Sequence, residues 1–312
     1  MRVFDVLLLG FLCAMMAFTL YILYALIPSQ PIEYETFAAN ISRNLPSQSY
    51  QFYPRMRYPD KEITYLVADA CSITKRKNIQ DAITILESRT SLIFTELDSA
   101  DLKSFPQITY ECQNNTTRPQ NQSHFIAGEG GPTEIINTTN YAVILSGKVS
   151  LYRAERCNVP IVALHETLHA LGFDHTNDKK SIMYPVTDCA QELDQFIVDQ
   201  LNELYAVPSA PDLSIESISA TASGRYLAFD INVSNYGLKN IEHVQLDVTS
   251  AGKTIRTFSF DDIKLGQKKT LSVKNVRIPA DTEVLTFIVH SADAEREITL
   301  ENNQATVHIK AA

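Results

Sequence analysis

An excess of basic residues is missing from this chain. Lys and Arg number 27 against 36 Asp and Glu, a net charge of -9. Phosphate binding needs a basic face, so nucleic acid is not an expected partner, and neither is anionic lipid gripped by a polybasic patch. The five cysteines include none in C-x2-C spacing, which argues against a zinc site built from thiolates. No repeat with a period of about 20–50 residues is visible either. What is there fits a globular protein: 45% apolar and 20% charged residues, in a chain long enough for two domains of ordinary size.

One segment departs from that average. Val6–Ile27, VLLLGFLCAMMAFTLYILYALI, carries no charge in 22 residues. At about 1.5 Å per residue it spans a hydrocarbon core of roughly 30 Å. A cleaved signal peptide is the alternative, but its apolar region usually runs about 7–15 residues. No A-x-A-like site follows before Pro28, and Phe11 and Leu12 are too bulky for lipidation at Cys13. The run therefore reads as an uncleaved anchor over residues 1–27. Arg2 and Asp5 nearly cancel, so charge bias says little about orientation. The other cysteines, Cys71, Cys112, Cys157 and Cys189, are even in number, which suits an oxidising compartment. Glycosylation acceptors occur at Asn40, Asn114, Asn115, Asn121, Asn137 and Asn232, three of them crowded into one polar stretch. Both features favour the extracellular side.

Residues 28–60 are rich in Pro, Ser, Gln and Tyr without periodicity and read as a spacer. A domain over residues 61–207 follows. EITYLVAD from Glu62 is β-branched and aromatic enough for a strand, and Ile79, Ile83, Leu86 and Leu92 mark the inner stripe of a helix. LIFTEL and QITYEC read as two more strands, and Gln113–Gln122 as a loop. GEGGP at Gly128–Pro132 breaks the chain before Tyr141–Tyr152, a strand pair or one long bent strand. A helix is expected from an N-cap at Asn158, with Pro160 in its first turn and Gly172 at its end. A last helix runs over Ala190–Tyr205. The pattern is an α+β domain with a mixed sheet and three helices. PSAPD at Pro208–Asp212 is a linker, and residues 208–312 show about seven short alternating runs, the mark of an all-β, Ig-like antiparallel sandwich.

The chemistry sits in His165–His175, HETLHALGFDH. Helical positions i and i+4 share a face, so His165 and His169 can aim ring nitrogens at one ion. Gly172 lets the chain leave the helix and turn back, bringing His175 round as a third ligand. Three imidazoles leave a coordination position open, as a single catalytic zinc requires. Glu166, beside the first ligand, is placed for proton transfer. A lone helical histidine is more often a core or surface group, but this pattern fixes three His, a Glu and a Gly together. From this composition its chance occurrence is on the order of 10⁻⁵.

SIMYP, Ser181–Pro185, follows. With HExxHxxGxxH before it, the chain resembles the metzincins, and within them the matrixins. The resemblance implies that His165, His169 and His175 bind zinc, that Glu166 is the general base, and that Met183 forms a hydrophobic floor under the imidazoles. Read alone, Met183 is a core methionine. Pro185 stands where some metzincins place a tyrosine near the metal, so Tyr184 is expected to shape the substrate pocket. LDQFIVDQLNELY looks like the closing matrixin helix. No cysteine-switch segment is visible, so thiol latency is not expected; Asp- and Gly-rich calcium loops are not seen either, which leaves structural calcium open. Cys157 and Cys189 flank the zinc helix and methionine turn. A bridge between them, with Cys71–Cys112 as the other pair, would staple two walls of the site, although four thiols allow three pairings and the sequence does not choose. His124, His243, His290 and His308 have no ligand spacing and read as structural or surface residues.

PDLSIESI, DINVSNYG and ENNQATVHI in the last hundred residues resemble the cell-adhesion-related (CARDB-like) sandwiches of prokaryotic surface proteins. That likeness implies spacing, docking or substrate presentation; Asn302 and Asn303 read as turn formers rather than ligands. The expectation is a membrane-anchored extracellular zinc endopeptidase acting on peptides or proteins, which would pair with a sheet edge near Tyr141–Tyr152. The alternative is a surface adhesion protein that holds a partner through the sandwich and keeps a vestigial zinc domain.

Overall fold

The computed structural model describes Met15, Met16, Phe18, Thr19 and residues 50–98, 105–113, 127–153, 155, 157–280, 282–293 and 296–309. Most of Val6–Ile27 therefore lies outside the described residues, as do Asn40, Asn114, Asn115, Asn121 and His124. Among the described residues no helix is long and apolar enough to cross a membrane. By contacts the chain divides between Thr36 and Phe37, so the domains considered below belong to one unit.

The first domain is a mixed sheet with three helices. Its strands are β1 (Met56–Arg57), β2 (Glu62–Val67), β3 (Ile93–Glu96), β4 (Ile108–Cys112), β5 (Gly128–Asn137) and β6 (Ala142–Leu151). The order β1-β6-β4-β2-β3 is parallel throughout, and β5 lies antiparallel on β6. Alternation explains β2, where Ile63, Tyr65 and Val67 point into the core.

Helix α1 (Ile73–Arg89) is capped by Ser72, which accepts from the Lys75 backbone N–H, and it buries Ile79, Ala82, Ile83 and Leu86. Leu92 is buried too, but beyond the helix end. Burial lowers the pKa of Lys75, whose ammonium donates to Leu151 O at 2.9 Å and Gln113 O at 3.2 Å. The same strand ends are tied to the helix by the Cys71–Cys112 disulfide.

Two expectations need correction. GEGGP is no break: Gly128–Asn137 is one strand, while Ala142–Leu151 is a single long strand, the second of the two forms expected there. Glycine and proline are poor strand formers, but an edge strand tolerates Pro132, and close approach to a helix demands glycine. The expected spacer also enters the fold before residue 60. Arg57, 1% exposed, donates to Leu204 O, to Val207 O at 3.1 Å and to Pro59 O at 3.3 Å, with its guanidinium 4.4 Å from the Tyr205 ring centroid. It satisfies free carbonyls at the end of the last helix, α3 (Gln195–Ala206). That helix starts later than expected, at Gln195 with Asp194 as N-cap.

The second domain is an antiparallel sandwich. Its strands are β7 (Leu213–Ser223), β8 (Tyr226–Asn235), β9 (Ile241–Ser250), β10 (Lys253–Ile263), β11 (Lys268–Arg277), β12 (Val284–Ser291) and β13 (Gln304–His308). One sheet has the order β10-β9-β12-β13 and the other β11-β8-β7. Phe229 meets Phe287 and Phe258 edge-on at 5.1 and 5.5 Å in its core. Asn302 and Asn303 lie in a turn, and their amides also hold buried carboxylates: Asn302 donates to Asp212 at 3.2 Å and Asn303 to Glu297 at 2.8 Å. Asn232, read as a glycosylation acceptor, has its amide engaged with Ser217 and Thr270 across the sheet.

Candidate metal centre

Helix α2 (Ile161–Ala170) carries the first two histidines, and every residue of it except Val162 is buried. Its start differs from expectation. Pro160, not Asn158, holds the cap position and makes no side-chain cap bond; the Glu155 carboxylate instead accepts from the Val162 backbone N–H at 2.8 Å. A carboxylate there is stabilised by the free N–H groups and the helix dipole. Gly172, at φ +95°, ends the helical run in the left-handed region. An added Cβ would also sit 2.7 Å from Met56 Cγ.

The chain then brings the three rings together. Nε2 of His169 lies 3.0 Å from Nε2 of His165 and 3.1 Å from that of His175, and the third side of the triangle is 3.3 Å. Tetrahedral zinc with Zn–N bonds of about 2.0–2.1 Å asks for edges of about 3.3–3.4 Å, so the triangle is close to a zinc cradle. The opposite nitrogens fix the tautomers. His165 Nδ1 donates to Ile182 O at 2.6 Å and His169 Nδ1 to Phe173 O at 2.7 Å. Both Nε2 atoms therefore carry lone pairs, and they face each other at 3.0 Å. A metal cation bound by both would relieve that contact. Burial drives the pKa of His165 down to about 4 and lowers that of His169, keeping both rings neutral as ligands must be. His175 is exposed and closes the cradle from the solvent side.

The methionine turn is built from local hydrogen bonds. Asp194 accepts from Ser181 Oγ at 2.6 Å, and that hydroxyl accepts from the Met183 N–H at 3.0 Å. Met183 is fully buried, its carbonyl accepts from Thr176 N at 2.9 Å, and Tyr184 is half-buried. Ile182 N donates to Glu192 O at 2.8 Å, which holds in place the carbonyl that orients His165. The Cys157–Cys189 disulfide joins the segment before α2 to the one after the turn.

Glu166 is 6% exposed, and its carboxyl is pushed up to about 8, first by burial and then by the charge of Glu129. Glu129 in turn accepts from the Tyr152 hydroxyl at 2.7 Å. Strand β5 lies against this helix. A Cβ on Gly130 would fall 2.1 Å from Glu166 O, and one on Gly128 2.8 Å from Glu166 Cγ. The sheet edge near Tyr141–Tyr152 is β5 itself, because β6 has β5 on one side and β4 and β1 on the other; the opposite edge of the sheet is β3.

Sequence reasoning missed Phe52. Its ring stacks on His169 at 5.8 Å and 23°, while Phe52 N donates to Gly172 O at 3.0 Å and Asp174 N to Tyr50 O at 2.6 Å. The only trace in the sequence is an aromatic cluster, Tyr50, Phe52 and Tyr53, in an otherwise unpatterned segment. The remaining described histidines do not join the centre: His243 and His290 pair with Asp293 and Asp247 at 2.7 and 3.2 Å, and His308 ends β13.

Three converging imidazoles beside a buried carboxylate, with an antiparallel edge strand over the same helix, form a centre that could hold a metal ion. Residues 57–206 match the Matrixin family model, of peptidase family M10, and residues 210–307 match the CARDB model. The first domain is thus similar to the matrixins, a family of zinc metallopeptidases, and the second to CARDB domains. No curated protein matches the chain. Among solved structures, a CARDB domain of a Pyrococcus furiosus protein, in complex with di-metal ions, is 17% identical, with 32% of this chain and 87% of that one covered at a TM-score of 0.27. A domain of a putative cell surface protein from Methanosarcina acetivorans is 16% identical, with 33% and 95% covered at 0.29.

Proposed function

We propose that this chain is a zinc endopeptidase anchored by residues 6–27, with both domains on the extracellular side. The observation that carries the reading is the convergence of three Nε2 atoms beside a buried carboxylate. His165, His169 and His175 hold the ion. When bound, it supplies Lewis acidity that polarises a scissile carbonyl and eases deprotonation of water. Glu166 takes the proton from the attacking water and delivers it to the leaving amine. Met183 supports the imidazoles from below, and Tyr184 shapes the pocket for the side chain after the cut. The substrate lies extended along β5 and pairs with its free main-chain groups. Two disulfides and the uncharged N-terminal run support the outward placement. The CARDB domain supports a second reading, adhesion through the sandwich with an inert zinc domain; the preserved Glu166 and full ligand set favour hydrolysis.

Glu166→Ala is expected to keep one zinc per chain by metal analysis while turnover of a generic protein substrate falls by about 10²–10⁴-fold. Undiminished cleavage in that variant would overturn the mechanism.

A further inference from the structure

Strand β5 is lightly packed for an element that must present a straight edge. None of its residues is fully buried, and its register with β6 is irregular around Pro132, Glu134 and Ile135. It is held at two ends. At the metal end Gly128 and Gly130 lie against Glu166. At the other end, the tip of the β5–β6 hairpin is docked on the sandwich. Asn140 Nδ2 donates to Asp212 Oδ2 at 2.7 Å, Asp212 being fully buried, and Thr138 Oγ1 donates to Tyr236 O at 3.2 Å. Tyr141 and Val143 share a small core with Leu238, flanked by Leu145, Leu265 and Ile298. Ile136, on β5 itself, sits so close to Gly266 that a Cβ there would be 2.5 Å from Ile136 Cγ2.

We infer that the sandwich is a positioning element of the peptide-binding edge: it pins the far end of β5 so that the strand meets a substrate already straight. This rests on the proposed pairing of substrate with β5. Without the pin, the outer half of the strand would have to be ordered at each binding event, a cost that falls on substrate affinity and not on the chemistry at Glu166. It also predicts a dependence on substrate length. Peptides reaching only Gly128–Pro132 would not sense the pin, whereas those pairing as far as Ile136 would.

The test uses the full chain with two variants, Asn140→Ala and Leu238→Asp, and Leu238→Met as the conservative control. Hydrogen exchange should show faster exchange across residues 133–143, with the sandwich strands still protected. For long peptides KM should rise by about ten-fold, the cost of ordering roughly one backbone residue, while kcat, zinc content and the KM of short peptides stay level. Leu238→Met should restore wild-type values. Unchanged hairpin protection in both variants, or a loosened hairpin with unchanged KM for long peptides, would overturn the inference. If the wild-type chain cleaves no peptide, the proposed function fails, and the exchange pattern still decides whether the sandwich pins the strand.

Discussion

Helix α2 and strand β5 lie against each other, yet they are built on opposite plans. Nearly all of α2 is buried, and the carbonyls that orient its histidines come from segments that are hydrogen-bonded in turn. In β5 no residue is fully buried. A metal cradle needs rings fixed to a fraction of an ångström, because ligand distances are narrow and lone pairs must be held facing one another. An edge that receives a peptide must leave its backbone groups free, so its order has to come from its ends.

The largest effect that would sharpen this contrast is expected at Gly130. Gly130→Ala drives a methyl group into the Glu166 backbone and should cost about 1–3 kcal/mol in denaturant unfolding, with loss of activity. Gly131 has open space around it, so the same change one residue on should be close to neutral. Equal costs at both positions would break the picture of glycine selected for close approach.

Next comes the support of the metal. Asp194→Ala frees the Ser181 hydroxyl that holds the methionine turn, and zinc affinity measured by competition with a chelator should fall by about 10–100-fold. An unchanged affinity would mean that packing alone orients the turn.

The smallest effect lies far from the zinc. Burial raises the Glu297 carboxyl from 4.5 to about 7, so the folded state holds this proton more tightly than the unfolded chain does. Its stabilising contribution is complete below pH 4.5 and is lost as pH rises through 7. Glu297→Gln should flatten that part of the stability–pH curve while leaving zinc content and cleavage unchanged. A slope that persists in the variant would assign it to another group.

Legibility from sequence follows the range of the interactions. The histidine spacing, Gly172 and the methionine turn lie within nineteen consecutive residues, 165–183, where helix geometry and a left-handed turn dictate which side chains meet. The period-two runs of the sandwich were readable for the same reason. Phe52 over His169, Arg57 on the end of α3 and the docking of Asn140 on Asp212 each join residues 72 or more positions apart. No local pattern announces such pairs. Strand β5 was misread because glycine and proline carry a breaker signal that an edge position overrides.

By itself, then, the amino-acid sequence determined which three histidines converge, the neighbouring carboxylate and the change from a mixed to an all-β domain. All of these are encoded in spacing along a single element or turn. Tertiary structure alone decided which strand is the open edge, which carbonyls hold the rings and how the sandwich meets the hairpin. Those outcomes depend on which distant surfaces exclude water together, and spacing along the chain carries no record of that.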